Sequence, residues 1–201
     1  MKLFKNIKNW LENQEHLFYL FLFILIVPNM VLCFTEPLPF MAKVANVLLP
    51  FGCYYLLMTL SRNCGKMLWI LFLFLFFGAF QIVLLYLFGQ SIIAVDMFLN
   101  LVTTNSSEAL ELLDNLTPAI IAVIILYVPA LILGTISIIR KRKLTVEFIR
   151  RERKRAFLVF GISLLSLVGA YVQDSGYELK SDLYPLNVCY NVGLALSLIH
   201  I

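Results

Sequence analysis

The chain has 201 residues, 61% of them in the hydrophobic set and 14% charged. A water-soluble domain is about half apolar and about a quarter charged. Here the apolar residues fall in long uncharged runs, so an all-α integral membrane protein is expected, with helices that satisfy their own backbone in lipid. The net charge of +4 gives no case for a nucleic-acid partner, because the basic residues gather in one short segment between apolar runs.

Cys33, Cys53, Cys64 and Cys189 form no CxxC pair, and His16 and His200 stand far apart. No metal site and no cofactor is expected within these residues. The first apolar run is too long for a cleaved leader and no small-residue cleavage site follows it.

Residues 1–16 carry Lys2, Lys5 and Lys8 among Phe4, Ile7, Trp10 and Leu11. That spacing predicts a basic amphipathic helix lying at the cytoplasmic interface. A five-span membrane domain, residues 17–172, is expected to follow. Its first span covers about 17–34 and is expected to kink at Pro28, with Asn29 supporting the freed backbone. The second covers about 41–60 and is the least apolar, with Lys43, Asn46, Pro50 and Gly52. It reads either as a broken helix lining a polar cavity or as an ordinary kink, and the kink is preferred because Lys43 can snorkel. The third, about 67–88, is apolar on all sides and is expected to face lipid.

Gly89 to Asn115 is a long outer loop, with Asp96 inside an apolar stretch. It holds Thr103-Thr104-Asn105-Ser106-Ser107-Glu108-Ala109-Leu110-Glu111-Leu112-Leu113-Asp114. Asn105 followed three residues later by Glu108 reads as a helix start. Ala109, Leu112, Leu113 and Leu116 then form one apolar stripe of a short helix in the outer loop. Glu108 and Glu111 share a neighbouring face. This segment reads as an exposed surface connector, or as a site where Glu108 meets a lipid head group. The fourth span, about 117–139, is expected to start at a Thr117 cap with Pro118 behind it and to kink at Pro129.

The densest charge lies between Arg140 and Arg155, nine basic residues with Glu147 and Glu152. It reads as a topology determinant that also pairs with anionic lipids. The fifth span, about 156–172, offers Gly161, Ser163, Ser166, Gly169 and Ala170 for close packing. Residues 173–201 form an outer segment. Ser197-Leu198-Ile199-His200-Ile201 fits read-through into adaptor sequence, so His200 carries no weight.

With the N-terminus in the cytoplasm, Lys2, Lys5, Lys8, Arg62, Lys66 and the nine of the basic segment lie inside, and only Lys43 and Lys180 lie outside. The positive-inside rule therefore puts the Thr104–Glu108 loop and the C-terminal segment on the same outer side.

The five-span plan, the loop Thr104-Asn105-Ser106-Ser107-Glu108-Ala109 and the segment Tyr184-Pro185-Leu186-Asn187-Val188-Cys189-Tyr190-Asn191 together resemble the membrane domain of bacterial phosphoethanolamine transferases. These are lipid A–modifying enzymes of the alkaline-phosphatase/sulfatase superfamily. The resemblance implies an inner-membrane protein with a cytoplasmic N-terminus and a periplasmic C-terminus. It implies phosphatidylethanolamine and lipid A as partners, Glu108 at the donor head group, and Thr104 and Asn105 beside it. It also implies a zinc-dependent catalytic domain with a threonine nucleophile beyond the fifth span. No catalytic residue or zinc ligand is expected among these 201 residues. Two other classes fit the composition, a small transporter or channel subunit and a non-catalytic lipid-binding membrane protein.

The topology is open to direct test. In a cysteine-free background, a membrane-impermeant maleimide should label a cysteine placed at Ser106 and miss one at Thr145. The opposite pattern would overturn the inside-outside assignment.

Overall fold

A computed structural model describes the backbone of residues 10–88 and 106–199, with side chains for 10–86 and 116–197. Every regular element among the described residues is a helix. In chain order they are α1 (Gln14–Thr35), α2 (Phe40–Met58), α3 (Cys64–Ile70), α4 (Phe72–Phe88), α5 (Ser106–Ile139), α6 (Val146–Gln173), α7 (Leu179–Asp182) and α8 (Leu186–Ile199). Four of the described helices are long and apolar enough to cross a membrane, and five spans result if α3 and α4 count as one. The chain is a multi-pass, all-α membrane protein.

The helix starts follow from short polar side chains. Asn13 Oδ1 accepts from the Glu15 N–H at 2.9 Å, Asn63 Oδ1 from Lys66 at 2.8 Å, and Thr145 Oγ1 from Phe148 at 3.2 Å. Each satisfies a donor that the first turn leaves free. Of the expected interfacial helix, residues 1–9 lie outside the described residues. Trp10 to Glu12 is helical, and Asn13 interrupts the helix and restarts it as α1.

α1 is the central helix. Leu17, Phe18, Phe21, Leu22, Leu25 and Leu32 are buried against its neighbours, and it touches α2, α3, α4 and α5. α6 packs on α2. That contact is close because small residues meet there: Ala42 and Ala45 on α2, Ala156, Ser163 and Ala170 on α6, all buried. A Cβ on Gly52 would come within 3.0 Å of the Phe160 backbone. Lipid gives helices little hydrophobic reason to associate, so close backbone approach of this kind supplies the packing. Gly161 takes no part in it, since a Cβ there would meet nothing within 4 Å.

Three elements differ from the sequence reading. The third span is bent by 63° at Leu71, and neither proline nor glycine marks the break. The stripe of the Glu108 segment does not end as a separate short helix; it runs into the fourth span, and Pro118 lies inside α5. Pro118 falls a full turn or more past Ser106, where the helix is already established. Finally, α6 begins at Val146, so the second half of the basic segment is helical rather than loop. The Thr145 cap explains that early start.

One end of the bundle gathers the basic residues. Asn63 Nδ2 donates to the Ser137 and Arg142 carbonyls, and Ser137 donates to Gln14 Oε1 at 2.6 Å. These bonds join the start of α1, the α2–α3 turn and the α5–α6 turn. At the same end Glu152 is fully buried and accepts from Tyr55, Arg151 and Arg155.

The backbones of α3 and α5 cross in contact at Gly65, where an added Cβ would overlap the Gly134 carbonyl oxygen. Gly65→Ala should therefore cost roughly 1–3 kcal/mol by overpacking, lowering the midpoint of thermal unfolding in detergent. Gly161→Ala should leave that midpoint unchanged.

Candidate functional site

The end opposite the basic cluster is where the sequence places its candidate residues. Thr104 and Asn105 lie outside the described residues. Glu108 lies in the first turn of α5, on a part of the chain described for its backbone alone. α5 runs antiparallel to α3 and α4, since Gly65 meets Gly134 while Gly78 meets Tyr127. Its Ser106 end is thus at the end of the bundle from which the C-terminal segment departs α6.

That segment does not simply leave the membrane. From Asp174 it turns back onto the ends of α1 and α2, and two asparagines hold it. Pro50 has no N–H, so the Asn46 carbonyl, four residues earlier on α2, loses its helical donor. The Asn29 side chain supplies one: its Nδ2 donates to Asn46 O at 2.9 Å. The same amide nitrogen donates to Tyr184 O at 2.8 Å. Asn29 therefore supports the backbone of the neighbouring helix rather than that of its own. Asn46 in turn donates from Nδ2 to Asp182 O and accepts at Oδ1 from the Tyr177 hydroxyl. Burial first, and the Asp182 carboxylate second, push the Tyr177 hydroxyl above the ordinary phenol range, which keeps it a proton donor to Asn46.

Below this knot lies a buried polar cluster. Tyr184 donates to Phe74 O at 3.3 Å. A Cβ on Gly78 would sit 3.0 Å from the Tyr127 hydroxyl and 3.3 Å from that of Tyr184, so glycine leaves room for both. Tyr54 stacks edge-on against Phe74. The Tyr54 and Tyr127 hydroxyls, Asn29 Oδ1 and both amide atoms of Asn187 are buried with no protein partner. Such groups are costly in an apolar interior unless solvent or a polar ligand satisfies them.

The structure thus brings together residues the sequence reading kept apart. Asn29 and Asn46 were visible only as span residues beside prolines, and Tyr184 and Asn187 only as part of a tail motif. Tyr54 and Tyr127 were not singled out at all. The available signal was a tyrosine in mid-span, whose hydroxyl needs a partner in lipid. Comparison with protein-family models, with curated proteins and with solved structures finds no match for this chain.

Asn29→Leu removes both N–H donors while keeping a side chain of four heavy atoms branched at Cγ. It should destabilise the chain by roughly 1–3 kcal/mol, the cost of leaving buried acceptors unsatisfied, and should free the tail. Limited proteolysis between Asp174 and Tyr184 in detergent should accelerate several-fold over the parent chain, as about 1.4 kcal/mol corresponds to tenfold.

Proposed function

We propose that the chain is the membrane domain of a phosphoethanolamine transferase, which moves phosphoethanolamine from phosphatidylethanolamine to lipid A or a related outer-membrane glycan. In this reading it sits in a bacterial inner membrane with its N-terminus cytoplasmic and its C-terminal segment periplasmic. Glu108 meets the ammonium of the donor head group, with Thr104 and Asn105 beside it, and zinc and the nucleophile belong to a catalytic domain beyond the tail.

The observation that carries the reading is the seating of Tyr177–Asn187 in the bundle end from which α5 starts. Donor and acceptor are both lipids, so a catalytic domain must be held at a fixed height and orientation above the leaflet. Positioning of reactants supplies a large part of many rate enhancements. A tail tied to two spans by three hydrogen bonds transmits such a position, whereas a free linker would not.

A transporter or channel subunit is the second reading. The bent third span and the unpartnered buried hydroxyls favour it.

The two separate on Glu108. With the 201-residue chain in nanodiscs, a photoactivatable phosphatidylethanolamine should label the peptide around residues 104–112. A hydrogen-bonded charge pair is worth about 1.5–3 kcal/mol, so Glu108→Gln should cut that labelling about tenfold or more at normal expression. Equal labelling by phosphatidylglycerol, or none lost in Glu108→Gln, would overturn the head-group role. The isolated chain should not turn over phosphatidylethanolamine. Joined to its catalytic domain it should transfer to lipid A, and Glu108→Gln should lose that transfer.

A further inference from the structure

The basic end of the bundle divides its cations into two populations. Arg140 and Arg142 approach Glu12, at 3.6 and 3.7 Å. Arg151 and Arg155 pair with the buried Glu152, at 2.8 and 2.9 Å. Arg62, Arg150, Arg153 and Lys154 pair with no carboxylate among the described residues. These four line one pocket of about 490 Å³, with Val146 and Phe157 among its apolar walls. Like charges are not brought together without cost, and no acidic side chain lines this pocket to offset it.

Two of the four are held in place. Arg62 Nε donates to Leu144 O at 2.9 Å while the Leu144 N–H donates to Arg62 O at 2.7 Å, a reciprocal clamp between the two turns. Arg153 donates from Nη2 to Thr59 O at 2.8 Å. Each bond uses one of five guanidinium N–H groups and leaves the others for a ligand. Fixed guanidiniums suit phosphate oxygens, which they can bind in a forked geometry.

The pocket also has a direction. Arg150, Lys154, Phe157 and Gly161 follow one another at helical spacing on one face of α6. Phe157 and Leu165 are 61% and 73% exposed. Gly161 between them is exposed, with open space where a side chain would stand. A cationic pocket at the interface therefore opens onto an apolar track leading into the hydrocarbon. The open space at Gly161 leaves room along that track for an acyl chain attached to the bound phosphate.

We propose that this groove binds an anionic glycerophospholipid of the adjacent leaflet, its phosphodiester among Arg62, Arg150, Arg153 and Lys154 and an acyl chain over Phe157 and Gly161. The proposal rests on the groove alone and is independent of the transferase reading.

The test is native mass spectrometry of the full chain in detergent, titrated with dioleoylphosphatidylglycerol or dioleoylphosphatidylcholine. The parent chain should retain at least one phosphatidylglycerol at concentrations where phosphatidylcholine is lost. Arg150→Gln with Lys154→Gln should weaken phosphatidylglycerol about tenfold, the size of one charge-assisted contact. Lys141→Gln with Lys143→Gln, an equal loss of charge outside the groove, should leave it unchanged. Gly161→Phe starts in open space, removes no cation and places a ring in the acyl track, and it too should weaken the lipid. Equal losses in the groove and control pairs would overturn the proposal in favour of diffuse surface attraction. Full affinity in Gly161→Phe, or displacement of the lipid by inorganic phosphate at equal concentration, would overturn it as well.

Discussion

The end of the bundle opposite the basic cluster depends on one side-chain amide. In water, the Asn46 carbonyl that Pro50 deprives of its helical donor would bond to solvent. In hydrocarbon it has no such recourse. Asn29 answers it from the neighbouring span and uses its second N–H on the Tyr184 carbonyl. The proline in α2 thus creates a need that Asn29 meets from α1, and the same amide holds the tail. Apolar packing alone discriminates poorly between a helix and lipid as a neighbour, so the amide bonds add the specificity with which the tail is seated.

The opposite end is organised by charge rather than by amides. Glu152 is a carboxylate with no exposed surface, and it is tolerable because a tyrosine and two arginines satisfy it. By binding Arg151 and Arg155 on one side of α6, it leaves Arg150, Arg153 and Lys154 to the other. The helical period thereby sorts a run of six residues, five of them basic, into a face where two arginines share one buried carboxylate and a face of cations without one. A charge count over the segment sees only the sum.

Hydropathy made the spans legible, since each crossing needs a long apolar run and little else in the chain has one. The caps at Asn63 and Thr145 are short polar residues ahead of helical runs, but the charge between Arg140 and Arg155 hides the helix that Thr145 starts. The bend at Leu71 leaves no local mark: Ile70-Leu71-Phe72 contains no breaker. At the candidate site, Pro28, Asn29, Asn46 and Pro50 are each legible, but the pairing of an orphaned carbonyl on one helix with a donor on another is a relation between residues seventeen apart. Periodicity within one element does not encode it. Thr104 and Asn105 lie outside the described residues.

α5 has a mechanical consequence. Its 34 residues make a rod roughly 50 Å long at 1.5 Å per residue, well beyond a hydrocarbon thickness of about 30 Å. The surplus lies at its Ser106 end, continuous in helix with the span below it. A shift of the span along its axis by one residue's rise moves that end about 1.5 Å. Changes in bilayer thickness, which tilt or shift spanning helices, would therefore reach Glu108 as a change of height, making its distance from the leaflet a property of the membrane as well as of the fold.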